Sequence, residues 1–154
     1  MEKGRAPTNI SSKGFTIVEL LIVIVVIGIL AAITIVAYNG IQTRARDASR
    51  ASTVVTLKKA LAMYAADNNG QYPAACTADD ASCSVSLLST ALVPKYLASV
   101  PNDPSPPKII DYARRGGGQG YGLNIAFEAK ARCVDGDNMN PAWGWYVSGG
   151  LSNC

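Results

Sequence analysis

Apolar and polar positions divide this chain into three unlike stretches. Residues 15–37 are almost continuously aliphatic, and none of residues 20–37 is charged. A helix rising about 1.5 Å per residue over that run would cross a hydrocarbon core of about 30 Å. After Gly40 the pattern becomes amphipathic. Val54, Leu57, Leu61 and Tyr64 recur at spacings of three and four, while Arg50, Lys58, Lys59 and Asp67 fall largely elsewhere on the helical wheel. This predicts a helix with one face against a sheet, ending at Asp67-Asn68-Asn69-Gly70 with Pro73 shortly beyond.

Beyond residue 70 the period changes. Residues 71–107 are turn-rich, with a short apolar segment at 87–97. Tyr121, Leu123, Ile125 and Phe127 then alternate with Gly122, Asn124, Ala126 and Glu128, the period of two expected of a half-buried strand. Residues 109–113 are its expected antiparallel hairpin partner, across a loop holding Gly116-Gly117-Gly118-Gln119-Gly120. That glycine run lacks the Gly-Lys-Ser/Thr ending of a phosphate-binding loop and reads as a flexible hairpin tip. Trp143, Trp145 and Val147 alternate as a third strand, packed on the helix. The expected fold class is therefore α+β, a small antiparallel sheet against the C-terminal half of a long N-terminal helix. The expected parts are a leader at 1–14, an apolar spanning helix at 15–40, an amphipathic helix at 41–70 and a globular head at 71–154.

Composition narrows the chemistry. The 154 residues carry a formal net charge of +3, suited to one modest domain with its attachments. Histidine is absent, which removes triads with a His base, His metal sites and His-based pH switching. Cys76, Cys83, Cys133 and Cys154 all follow the apolar run, and neither pair has C-x-x-C spacing. An even count beyond a membrane segment reads as two disulfides in an oxidising compartment, with free buried thiols as the alternative. Of the three connectivities, Cys76 to Cys83 and Cys133 to Cys154 costs the least loop-closure entropy.

The N-terminal boundary is the most informative region. Residues 1–14 are polar and carry Lys3, Arg5 and Lys13 against Glu2, a basic flank expected to stay cytoplasmic. A cleaved secretory signal would have a shorter apolar region followed by a small-x-small site, but Ile33, Ile35 and Val36 continue the run past Ala31-Ala32. A plain single-span anchor leaves Glu19 unexplained. An ionisable side chain inside an apolar segment is expensive and a functional candidate by default, the bland alternative being a carboxylate snorkelling to the headgroups.

The stretch Gly14-Phe15-Thr16-Ile17-Val18-Glu19-Leu20-Leu21-Ile22-Val23-Ile24, continuing through Ile27-Gly28-Ile29-Leu30-Ala31-Ala32-Ile33 to Tyr38, closely resembles the signal of type IV pilins and pseudopilins. The resemblance implies cleavage by a prepilin peptidase between Gly14 and Phe15, on the cytoplasmic side. A side chain at Gly14 would obstruct approach to the scissile bond. It further implies N-methylation of Phe15 and retention of the apolar segment. Glu19 would then neutralise the Phe15 ammonium of a neighbouring subunit in a low-dielectric filament core and so set the register. Many major pilins have proline where this chain has Val36, so no proline kink is expected; Gly28 and Tyr38-Asn39-Gly40 are the weak points. The stretches 64–73 and 96–104 are similar to the loop pattern of major pseudopilins.

The same resemblance implies a structural subunit of a type IV pilus serving adhesion, motility or DNA uptake. A pseudopilin of a type II secretion or competence system is the alternative, and a bitopic membrane enzyme or receptor the remote one. Its implied partners are copies of itself, the prepilin peptidase, an inner-membrane platform with its ATPase, and membrane lipid before assembly; nucleic acid enters only through DNA uptake. The implied location is a single-pass cytoplasmic membrane protein with its head outside the cytoplasm, then an envelope or extracellular filament. No cofactor is expected. Asp103, Asp111, Asp135 and Asp137 are weak calcium candidates, because Met139 breaks the D-x-D-x-[DN] pattern after Asp135. Arg44, Arg46 and Arg50, interleaved with Asp47, read as a solvated helix face or a source of inter-subunit salt bridges, with nucleic acid or anionic headgroups as the functional reading.

Overall fold

A computed structural model describes residues 14–106, 110–144 and 154. The chain divides into two compact units, Met1–Gly40 and Ile41–Cys154. Helix α1 spans Ile17–Asp67 and stays helical through Gly28, Val36 and Gly40. In the first unit every described side chain from residue 14 to residue 40 is exposed. The one hydroxyl between residues 20 and 35 is satisfied locally: Thr34 Oγ1 donates to the carbonyls of Leu30 and Ala31 at 2.9 and 3.0 Å. No polar side chain between residues 20 and 35 is left needing water.

The second unit holds the core. Its strands are β1 (Ser82–Ser84), β2 (Ile110–Arg114), β3 (Tyr121–Ile125) and β4 (Cys133–Asp137), in the order β1-β2-β3-β4. All neighbours are antiparallel. A 3-10 turn at Val85–Leu88 and a short helix α2 (Ser89–Leu92) follow β1. Val54, Leu57, Ala60, Leu61 and Ala65 of α1 pack against Ile110, Tyr112, Tyr121, Leu123 and Ile125, with Val85, Leu88 and Leu92 closing one side. The fold is α+β, as the two periodicities require.

The end of α1 follows its sequence signals. Asn69 and Gly70 adopt positive φ of 56° and 77°, and the Gly70 amide returns to the Ala65 carbonyl at 2.8 Å. Glycine suits such a left-handed residue because it has no Cβ to clash.

Two expectations change. The third strand is Cys133–Asp137 rather than the stretch beginning at Trp143, which lies in a bend; Trp145 and Val147 fall outside the described residues. The Asp135-Gly136-Asp137 stretch is acidic and glycine-bearing, unlike an ordinary strand. It forms a strand because Lys58 of α1 binds Asp135 at 2.7 Å and the Tyr72 hydroxyl donates to Asp137 at 2.7 Å. Trp143 is buried all the same, its indole Nε1 donating to Asp80 at 2.8 Å. A Cβ on Gly122 would stand 2.6 Å from its ring, so glycine in β3 makes room for it.

The glycine-rich tip is likewise tied down. Gly116 and Gly117 amides donate to Asp80 and Asp79, and the Gly118 carbonyl accepts from Tyr72 N at 2.8 Å. Disulfides join Cys76 to Cys83 and Cys133 to Cys154.

Candidate functional site: the N-terminal signal and the arginine cluster behind it

The chain enters α1 through a reciprocal pair. Thr16 Oγ1 accepts from the Glu19 amide at 3.2 Å, while the Glu19 carboxylate accepts from both the amide and the hydroxyl of Thr16 at 2.8 Å. This is a capping box, in which a Ser/Thr and a Glu three residues later satisfy each other's orphan amides at a helix start. The sequence carries that signature as Thr16-x-x-Glu19, a signal for the bond that does not depend on the family resemblance. Within the subunit the carboxylate is therefore hydrogen-bonded, and its other edge stays exposed.

Phe15 is 90% exposed, followed by Ile17 at 79% and Leu20 at 64%. Nothing among the described residues lies within 4 Å of the position a Cβ on Gly14 would take. The fold itself gives no steric reason for glycine there.

Further along α1, the basic cluster separates into two behaviours. Arg46 and Arg50 do not form a solvated face. The Arg50 side chain is 1% exposed and binds Asp47 at 3.0 Å, Asp103 at 2.8 Å and Glu128 at 2.9 Å. Arg46 takes the other side of Glu128 at 2.7 Å. Asp47 also accepts the backbone amides of Glu128 and Ala129, both at 2.8 Å, and Asp103 accepts that of Ser105 at 2.8 Å. Two guanidinium groups thus hold three carboxylates and gather the loops around residues 103 and 128 onto one turn of helix. Hydrogen bonds from Arg46, then from Arg50, pull the Glu128 pKa down to about 2. Arg50 does the same to Asp103, below the usual carboxylate range. At Asp47 burial opposes ionisation, yet the two amides and Arg50 outweigh it and the pKa falls. Arg44 stays exposed and outside this cluster.

The calcium candidates do not converge. Asp103 is spent on Arg50, Asp135 on Lys58 and Asp137 on Tyr72. Among the described residues no three acidic, cysteine or histidine side chains are grouped to hold a metal.

A family model for the prokaryotic N-terminal methylation motif matches residues 10–35. The chain carries that methylation motif. Beyond it, the sequence is 39% identical over 61 residues to type II secretion system core protein G of Pectobacterium carotovorum subsp. carotovorum, covering 40% of this chain and 38% of that one. It is 37% identical over 91 residues to the type IV major fimbrial protein FimA of Dichelobacter nodosus, covering 59% and 53%. A fimbrial protein of Neisseria meningitidis serogroup A is 36% identical over 92 residues, covering 60% and 51%. The chain thus matches about half, or less, of the length of these curated relatives. No solved structure matches it significantly. The methylation motif includes Gly14, Phe15, Thr16 and Glu19, so the capping box lies inside it.

Proposed function

We propose that this chain is the precursor of a structural filament subunit, cut by a prepilin peptidase between Gly14 and Phe15, methylated on Phe15 and assembled into a type IV pilus. The observation that carries this reading is the juxtaposition of the methylation motif with a helical segment whose described side chains are all exposed, continuous in α1 with residues that form a buried core. A membrane covers such a segment before assembly, and copies of itself cover it afterwards. The role is structural rather than catalytic. The assembly platform and its ATPase belong to the same reading, as does placement of the head outside the cytoplasm.

Gly14 supports the cut site, since nothing in the described subunit excludes a larger side chain there. A pilin is preferred over a secretion pseudopilin because two fimbrial relatives align over 91 and 92 residues, against 61 for the secretion protein, while a second FimA aligns over 66. Gly14→Val should leave the full-length precursor in the membrane fraction, read by intact mass, and abolish filaments in electron micrographs. Mature protein of normal mass from that variant would remove the cut site. Wild-type chain that is processed but confined to short envelope structures would favour the pseudopilin.

A further inference from the structure

Once Arg46 and Arg50 are committed to internal carboxylates, the cationic groups at this end of the second unit that have no carboxylate of their own become informative. Arg44 and Lys130 are both exposed, and neither has an ion pair among the described residues. They line one shallow recess of about 250 Å3, together with Ala48, Ala51, Ala129 and Asp47. Asp47 does not neutralise them, because its oxygens already accept the Glu128 and Ala129 amides and Arg50. The same two amide bonds fix the loop bearing Lys130 against the helix turn bearing Arg44. Lys130 also sits 5.7 Å over the Phe127 ring, which holds its stem near the recess. The pocket is small, walled by alanines and net positive, with room for a phosphate.

Its place along the helix identifies the occupant. Arg44 follows Ala37, the last residue of the apolar run, by seven residues. A headgroup layer is about 5 to 8 Å deep on each side of the hydrocarbon, and a long cationic side chain so soon after the apolar run is suited to reach it.

We propose that Arg44 and Lys130 form a docking surface for the anionic phospholipid headgroups of the membrane that the chain's own apolar segment occupies. Docked there, the loop at residues 128–132 is held against the membrane before assembly, and leaving it requires giving up two charge contacts. This rests on the membrane-anchored reading above. Each cation near an anionic surface contributes about fivefold in binding, and the contribution weakens with salt.

The test uses full-length chain in nanodiscs of phosphatidylcholine alone or with phosphatidylglycerol, with hydrogen exchange followed by mass spectrometry. Peptides covering residues 126–132 should exchange up to about 25-fold more slowly in the phosphatidylglycerol discs, about fivefold for each of the two cations. The difference should vanish in Arg44→Gln/Lys130→Gln and persist in Lys59→Gln, which removes an exposed charge about 20 Å further along the helix. Chain that fails to enter discs of either kind overturns the membrane reading itself. Chain that enters both but exchanges identically overturns only the docking surface, as does protection that survives the double substitution. Equal protection by duplex DNA added to neutral discs would assign the surface to nucleic acid instead.

Discussion

Replacing Arg50 with methionine should destabilise the head more than any substitution of an exposed residue on α1. The guanidinium is 1% exposed and serves Asp47, Asp103 and Glu128, whose side chains are 5%, 7% and 14% exposed. The consequences differ among the three. Asp47 retains two backbone amides and Glu128 retains Arg46, whereas Asp103 keeps only the Ser105 amide. Asp103 is the stranded charge. Removing one partner of a buried pair costs about 3–5 kcal/mol, and the surviving partners of Asp47 and Glu128 place Arg50→Met near the lower end of that range. Adding Asp103→Asn should recover about 1–2 kcal/mol, since directly contacting residues couple by roughly 0.5–3 kcal/mol. Urea unfolding of the disulfide-intact chain in detergent, followed by tryptophan fluorescence with Trp143 buried, reads both quantities. A loss below about 1 kcal/mol for Arg50→Met would refute the reasoning, because surface ion pairs cost no more than that. So would a double variant no more stable than the single one.

The same cluster sets an acid limit. Glu128, at 4.5 when unperturbed and held down to about 2, contributes stability that is complete above about pH 5 and lost as pH falls through 2, with Asp47 and Asp103 moving in the same direction; the gap in urea midpoint between wild type and Arg50→Met should close over that window. Glu19→Gln can still accept from the Thr16 amide and so keeps the capping box, whereas Glu19→Ala loses it. If the charge is what assembly needs, both variants are processed and neither enters filaments, scored by sheared-filament yield. Normal yield from Glu19→Gln would leave capping as its role. Cys133→Ser should free the C-terminal residue, whose amide bonds the Val134 carbonyl at 3.3 Å, and raise protease sensitivity near the C-terminus, since closing a loop of this length contributes about 3 kcal/mol. Unchanged resistance would mean that packing alone holds that end.

What the sequence revealed, and what it hid, follows from the range of the interactions involved. The apolar run, the 54-57-61-64 face, the helix stop at Asn69-Gly70 and the β2–β3 hairpin are all set by neighbours within a few residues, and each was legible. Strand β4 was not, since Asp135 and Asp137 become tolerable only through Lys58 and Tyr72, 77 and 65 positions away. The arginine cluster was hidden for the same reason. Arg50 sits among Arg44, Arg46 and Asp47 in a run that looks solvated, and its burial depends on Asp103 and Glu128 arriving from distant loops. In the N-terminal signal the spacing of Gly14, Phe15 and Glu19 is plain, and the bond between Thr16 and Glu19 is local too, the two lying three positions apart in the Ser/Thr-x-x-Glu pattern.

Those long-range polar ties also explain how so small a head holds its loops. Among the described residues the hydrophobic core draws on residues from Val54 onward. Such a unit buries a modest fraction of its surface and leans on other devices. Each irregular connection has one: the Cys76–Cys83 disulfide before β1, Asp103 on Arg50 in the proline-rich loop, Asp79 and Asp80 under the glycine tip, and Glu128 with Asp47 between β3 and β4. The C-terminal residue is tied by the second disulfide. Because none of these ties involves a residue before Arg46, changes within residues 15–40 should alter insertion and assembly while leaving the unfolding of the head untouched. Changes in the Arg50 cluster should do the reverse. A filament subunit of the proposed kind, which would leave the membrane on assembly without losing its fold, requires that separation.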